Sequence, residues 1–174
     1  FVTKDIVTMF PEEVSLLAAE GHEIALHSMI KKQEGDIILR ELTEQKTYIE
    51  NVIGRRVFGH RSHKFIPISL KTLKEAGLSY DNSLHPTYVP CRYCNFFSRR
   101  ELYKEYGMVE IPITVTPLFR LPFSCFWFRI LKVSYAKLCS NFVYFRHDYI
   151  NIYFHTWEFG NITNISLKWP YKLL

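Results

Sequence analysis

The sequence predicts an α/β fold with parallel strands, either an open sheet or a barrel. Three observations lead there. Over residues 1–87, short apolar runs alternate with longer segments of helical period. Glycine, proline and capping residues fall at the seams between them. Four polar side chains, His27, Arg61, Asp81 and His155, each stand at the end of a proposed strand. Crossover connections are right-handed, so parallel strands bring those ends to one rim, where α/β proteins build their sites.

Pro11-Glu12-Glu13 opens a helix with proline in its first turn and acids at the positive end of the dipole, and Gly21 closes it. Glu23 to His27 is too short an apolar run for a helix and reads as a buried strand. Asp36 is the expected N-cap of a helix running to about Ile53, with Gly54 as its stop. Ile38, Leu42, Ile49, Val52 and Ile53 form its apolar face. Val57-Phe58-Gly59 is the next strand, ending at His60-Arg61. Ser69 caps a short helix from Leu70 to Ala76, Gly77 follows, and Leu78-Ser79-Tyr80 leads into Asp81. Beyond this the pattern is aromatic and less regular. Val109 to Val115 alternates like a strand with Pro112 at an edge position, residues 129–142 suit a helix, and Tyr149 to Phe154 is a strand ending on His155.

The chain has 174 residues, 48% hydrophobic and 22% charged, which excludes an intrinsically disordered composition and suits one domain over 1–174. No stretch approaches 18 consecutive apolar residues, so no transmembrane segment is expected. The chain opens on Phe1 with no signal-peptide pattern, and the expectation is a fragment or a processed chain. Residues 1–87 carry 11 basic and 12 acidic side chains, residues 88–174 carry 11 and 5. The basic residues of the second half are scattered, with no arginine-rich run or nucleic-acid motif, so nucleic acid is not the expected partner. Cys91-Arg92-Tyr93-Cys94 has zinc or redox spacing but no second pair to complete it. The aromatic stretch Leu118 to Phe128 reads as a core, an interaction patch or a sugar-stacking wall.

Two histidines, an arginine and an aspartate are the side chains of metal-assisted hydrolysis: imidazoles bind metals and move protons near neutral pH, and a guanidinium holds an oxyanion. No serine nucleophile elbow, P-loop or dinucleotide-binding glycine turn occurs.

At these residues a resemblance becomes specific. Gly21-His-Glu-Ile-Ala-Leu-His27-Ser28 resembles the second motif of the polysaccharide deacetylases, the NodB-homology family. Gly59-His-Arg61 resembles their arginine motif, Leu78-Ser-Tyr-Asp81-Asn-Ser83 their Tyr-Asp-Ser region, and Phe154-His155-Thr-Trp157-Glu158 their final histidine motif. The four occur in order over residues 1 to about 160. The resemblance implies a distorted seven-stranded (β/α) barrel, here lacking its first strand. It implies a hydrolase of carbon–nitrogen, non-peptide bonds that removes acetyl groups from N-acetylated sugars of an acetylated poly- or oligosaccharide. A divalent metal, most often zinc, would activate water. His27 would be a metal ligand, Arg61 would orient the base, His155 would be the general acid, Asp81 would position either, and Trp157 would wall the acetyl pocket. Family members are often extracellular or envelope-associated.

Two departures bear on this expectation. The family's second metal histidine, four residues after the first, is Lys31 here, and an ammonium repels a dication. The family's Asp-Asp pair, source of the base and of a ligand, occurs nowhere in the sequence. The chain is therefore expected to bind metal and deacetylate poorly. The alternative is a non-catalytic glycan-binding or polysaccharide-biosynthesis protein on the same barrel.

Overall fold

The computed structural model describes residues 1–30, 35–90, 92–124, 126–145 and 149–159, with the backbone alone for Tyr93, Phe126 and Trp157. It divides into two compact units, Phe1–Leu84 with Glu101–Pro112, and His85–Arg100 with Ile113–Leu174.

In the first unit, Thr3 caps helix α1 (Lys4–Met9) by accepting the Ile6 N–H, and Pro11 starts α2 (Pro11–Ala19). Gly21 then turns the chain with φ +93°. Strand β1 (Leu26–Ser28) follows, then α3 (Gly35–Ile53), β2 (Gly59–Ser62), α4 (Leu70–Glu75) and β3 (Tyr80–Asp81). Ile38, Leu42, Ile49, Val52 and Ile53 do form the apolar face of α3, packing with Val7, Val14, Leu26, Leu73, Leu78 and Met108 in one core. Its first turn starts at Gly35, so Asp36 lies inside the helix and not at the cap.

β1, β2 and β3 pair in parallel, and β3 pairs in parallel with β7 (Met108–Glu110). β7 turns back as a hairpin onto β6 (Tyr103–Glu105), and Val2 makes one parallel bridge to Leu26 on the opposite edge. The expected seven-stranded barrel is not what forms. Among the described residues the sheet is open and has five strands, in the order β1-β2-β3-β7-β6. The reason lies just beyond β7. Pro112 brings no N–H to a ladder, and Val115 bridges Pro122 in the second unit and not a strand of this sheet.

The second unit contains a short antiparallel pair, β4 (Tyr88–Val89) with β5 (Tyr93–Cys94), and helix α5 (Phe126–Tyr144), which kinks at Lys132. Phe123, Cys139 and Val143 form its core. Residues 149–155, expected as a strand, adopt no strand. Their ladder stops after Thr114 N–H donates to the Asn151 carbonyl at 2.8 Å and the Asn151 N–H returns to Thr114 Oγ1 at 2.7 Å.

One glycine in the sheet is fixed by close packing. The Tyr80 side chain lies over Gly59 on the neighbouring strand, where an added Cβ would stand 2.1 Å from both Cζ and Oη of the tyrosine. The tyrosine is anchored there by its hydroxyl, which donates to Glu23 Oε1 at 2.9 Å. Gly59→Ala should therefore destabilise the fold by about 1–3 kcal/mol. In a Tyr80→Ala background the same change should cost less, and denaturant unfolding of the four-member cycle measures the coupling.

Candidate functional site

The register of the parallel strands sorts the polar residues onto two faces. His60 pairs with Asp81, and Asp81 pairs with Glu110. Paired residues of adjacent strands point to the same side, and successive residues of one strand to opposite sides. A row of polar side chains therefore crosses three strands. His60 Nδ1 meets Asp81 Oδ1 at 2.7 Å, and His60 Nε2 meets Ser28 Oγ of β1 at 2.7 Å. Ser83 Oγ donates to Asp81 Oδ1 at 2.7 Å and accepts the Ser62 N–H at 2.9 Å. With Nδ1 donating to the carboxylate and Nε2 accepting the Ser28 hydroxyl, each partner is satisfied.

Glu110 ends the row. Its Oε1 accepts the Leu84 N–H at 3.2 Å. Burial, and then the Asp81 carboxylate beside it, push its pKa well above the usual carboxyl value. A protonated Glu110 hydrogen-bonds to Asp81 and avoids placing two carboxylates side by side. Ser28-His60-Asp81 has the order of a nucleophilic triad, but Ser28 and His60 are both 0% exposed, so the serine cannot meet a substrate. The array joins strands and is not a nucleophile.

His27 and Arg61 pair across β1 and β2 on the other face. His27 Nδ1 contacts the Arg61 carbonyl at 2.9 Å, so Nδ1 carries the hydrogen and Nε2 offers its lone pair. Burial is the main cause that holds the His27 imidazole down at about 4, hence neutral at neutral pH. His63 lies in the turn His63–Phe65 directly after β2, its ring 6.0 Å from that of His27 and its pKa lowered, chiefly by burial. Lys64 and Phe65, next in that turn, hold positive φ, a strained conformation for residues with side chains. The Arg61 guanidinium is fixed by the Asn82 carbonyl at 3.3 Å, by Asn82 Oδ1, and by the Phe1 ring, 4.3 Å away from centroid to Cζ.

Of the residues singled out in the sequence, the structure thus brings His27 and Arg61 together and sets Asp81 with His60 on the opposite face. His155 belongs to the second unit. Its Nδ1 meets Glu158 Oε1 at 2.8 Å, and the Tyr153 ring stands edge-on to it at 5.8 Å, with His85 edge-on to Tyr153 at 6.4 Å. The Trp157 side chain, Lys31 and Cys91 lie outside the described residues. Cys94 is exposed. Among the described residues no three His, Cys, Asp or Glu side chains are grouped to hold a metal ion. The site residues expected from sequence did not include His60, Ser28, Glu110 or His63. For His60 the signal was present: in Gly59-His-Arg-Ser62 a period of two sends His60 and Arg61 to opposite faces.

No family model matches the chain, and no curated protein matches its sequence. Among solved structures, the chain shares its fold with that of a protein from Mycobacterium smegmatis provisionally assigned as a polysaccharide deacetylase. The match has 24% identity and a TM-score of 0.52 over 66% of this chain. The chain spans 39% of that protein's length.

The raised pKa of Glu110 has a defined consequence for stability. Above its ordinary value near 4.5 the unfolded chain has lost this proton and the native state has kept it, so stability falls as pH rises through that range. Glu110→Gln keeps the acceptor for Leu84 and removes the titration. It should raise the melting temperature at pH 8 by about 2–4 °C and leave it nearly unchanged at pH 4. Melting curves at both pH values check the sign.

Proposed function

We propose that the chain is a polysaccharide deacetylase-like hydrolase that cleaves the carbon–nitrogen bond of N-acetylated sugars. The observation that carries this reading is the His27–Arg61 pair: a neutral imidazole, oriented through Nδ1 with Nε2 presented as a base, beside a fixed guanidinium. The shared fold supports it.

In this reading water attacks the acetyl carbonyl carbon, the carbon–nitrogen bond breaks, and acetate and a free amine leave. His27 Nε2, left as the acceptor nitrogen once Nδ1 donates to the Arg61 carbonyl, takes the proton of the attacking water. The positive guanidinium of Arg61 orients the base and stabilises negative charge as it develops on oxygen. By family resemblance His155, whose Nδ1 meets Glu158 Oε1 at 2.8 Å, would be the acid that protonates the departing nitrogen. Asp81 acts at one remove, through His60 and Ser28, on the strand that carries His27.

A divalent cation, zinc by family resemblance, would be held by His63 and by the same His27 Nε2 lone pair, which would then no longer be available as the base. When bound it would lower the pKa of water and polarise the carbonyl. Two imidazoles are one donor short of the three protein ligands of a catalytic zinc site, so the described donor set does not fit one by itself. No step above is taken through a metal. The same shortfall favours a second reading, a non-catalytic protein that binds acetylated glycan on this fold.

Acetate release from chitooligosaccharides, with and without added zinc or cobalt, separates the two. The hydrolase reading expects release that His27→Ala and Arg61→Ala each lower by about 100-fold or more, with folding intact by circular dichroism. Glycan binding that survives chelator, with no acetate under any condition, would establish the second reading instead.

A further inference from the structure

The second unit carries a groove of about 760 Å³ with aromatic walls. Phe96 and Phe97 come from the turn after β5, Phe119 from the turn before Leu121, and Trp127 and Tyr135 from α5. Phe97 and Phe119 are 94% and 74% exposed, so much of this aromatic surface is open to solvent. Such rings offer apolar faces to flat or chair-shaped ligand rings without asking for hydrogen bonds.

A cation sits among them. Arg120 lines the groove, its guanidinium 5.3 Å from the centroid of the Phe96 ring, and one of its nitrogens donates to the Ser98 carbonyl at 2.6 Å. Its backbone has φ +50°, a conformation that costs free energy for a residue with a side chain, and the Thr87 hydroxyl holds it by donating to the Arg120 carbonyl at 2.7 Å. Burial and the nearby charge of Arg100 lower its pKa. One terminal nitrogen of Arg100 is itself buried without a hydrogen-bond partner.

Among the described residues no carboxylate forms an ion pair with Arg120 or Arg100. Residues 85–100 and 113–174 contain ten basic side chains and two acidic ones, Asp148 and Glu158, and Glu158 is engaged by His155. Two neighbouring cations and an unsatisfied buried donor are unfavourable in the free protein, and a bound oxyanion relieves both.

From the groove, its Arg120 and the neighbouring Arg100 we infer a binding site for an anionic saccharide, with sugar rings against the aromatic wall and a carboxylate or phosphate at Arg120 within reach of Arg100. The choice of a saccharide over other ring-bearing oxyanions rests on the carbohydrate reading given above. Single-stranded nucleic acid also combines stacking with charge, but it repeats its phosphates along the chain, and among the described residues Arg120 is the one cation lining this groove.

The test is titration of the whole chain with trigalacturonate, glucose 6-phosphate, chitotriose and a six-nucleotide oligothymidine, read by tryptophan fluorescence and calorimetry. Trigalacturonate or glucose 6-phosphate should bind about tenfold or more tightly than chitotriose, and whichever does so identifies carboxylate or phosphate as the anion. The tighter binding should weaken at 0.5 M salt and fall about tenfold in Arg100→Gln and in Arg120→Gln, with Arg120→Lys retaining part of it. Equal affinity for chitotriose, tightest binding by the oligothymidine, no binding at all, or no loss in the folded Arg100→Gln protein would each overturn the inference. Acetate release is measured in the same samples with Arg61→Ala alongside. Groove binding without acetate release would sink the hydrolase reading alone, and acetate release without anion preference would sink this one alone.

Discussion

Everything in the first unit is arranged around one buried polar row, Ser28–His60–Asp81–Glu110, with Ser83 and the Ser62 N–H closing it. Its members are at most 5% exposed, so no water can replace a lost partner, and deleting any one leaves a buried group unsatisfied at a cost of about 1–3 kcal/mol. The row bonds side chains across β1, β2, β3 and β7 in the order of the sheet itself. With strands only two to four residues long, the backbone ladder offers few bonds per pair, and the side-chain row adds specificity where the ladder is short. A one-residue slip of β2 would turn His60 out of the row and drive Arg61 into it, so the row also fixes register.

That constraint determines where chemistry can occur. Once His60 is committed inward, alternation sends Arg61 to the opposite face, beside His27. Arg61 is then held by Asn82 and covered by the Phe1 ring, while Tyr80 fills the space that Gly59 leaves on the neighbouring strand. His27 receives its orientation from a backbone carbonyl of β2, so its geometry depends on the strand pairing that the buried row secures. Two consequences of burial thus separate cleanly. Beside Asp81, burial favours a neutral, protonated Glu110, which serves structure. At His27 it favours a neutral imidazole with an acceptor nitrogen, the form the proposed base role requires.

Much of the first unit was legible because its signals are local. Pro11, Gly54 and Gly77 mark helix boundaries, and the spacing of Leu42 and Ile49 marks the face of α3. Strand ends were legible only to within a residue or two, and one residue matters in a sheet. Placing Arg61 at a strand end, when it lies inside β2, joined it on paper to Asp81 of the other face. Glu110 could not be found from sequence, because its shifted proton depends on Asp81, 29 residues away and adjacent only through strand pairing. Residues 149–155 carried strong strand propensity yet make no strand. Propensity supplies side chains fit for a sheet but no partner edge, and the backbone pairing described for this segment, at Thr114 and Asn151, does not extend into a ladder.

The charge asymmetry of the sequence also changes meaning once the units are known. By halves it reads as nearly neutral against basic. By units it is sharper, because residues 101–112, with Glu101, Glu105 and Glu110, leave the basic half and join the sheet. The first unit then holds 12 basic and 15 acidic side chains, the second 10 and 2. Net charge does not stabilise a fold, and a strong excess of one sign opposes it through self-repulsion. An excess of cations beside exposed phenylalanines, at a strained arginine backbone, is therefore a cost borne by the folded second unit. Such a cost is offset when the site is filled by a ligand of opposite charge, and strain of this kind concentrates where proteins bind.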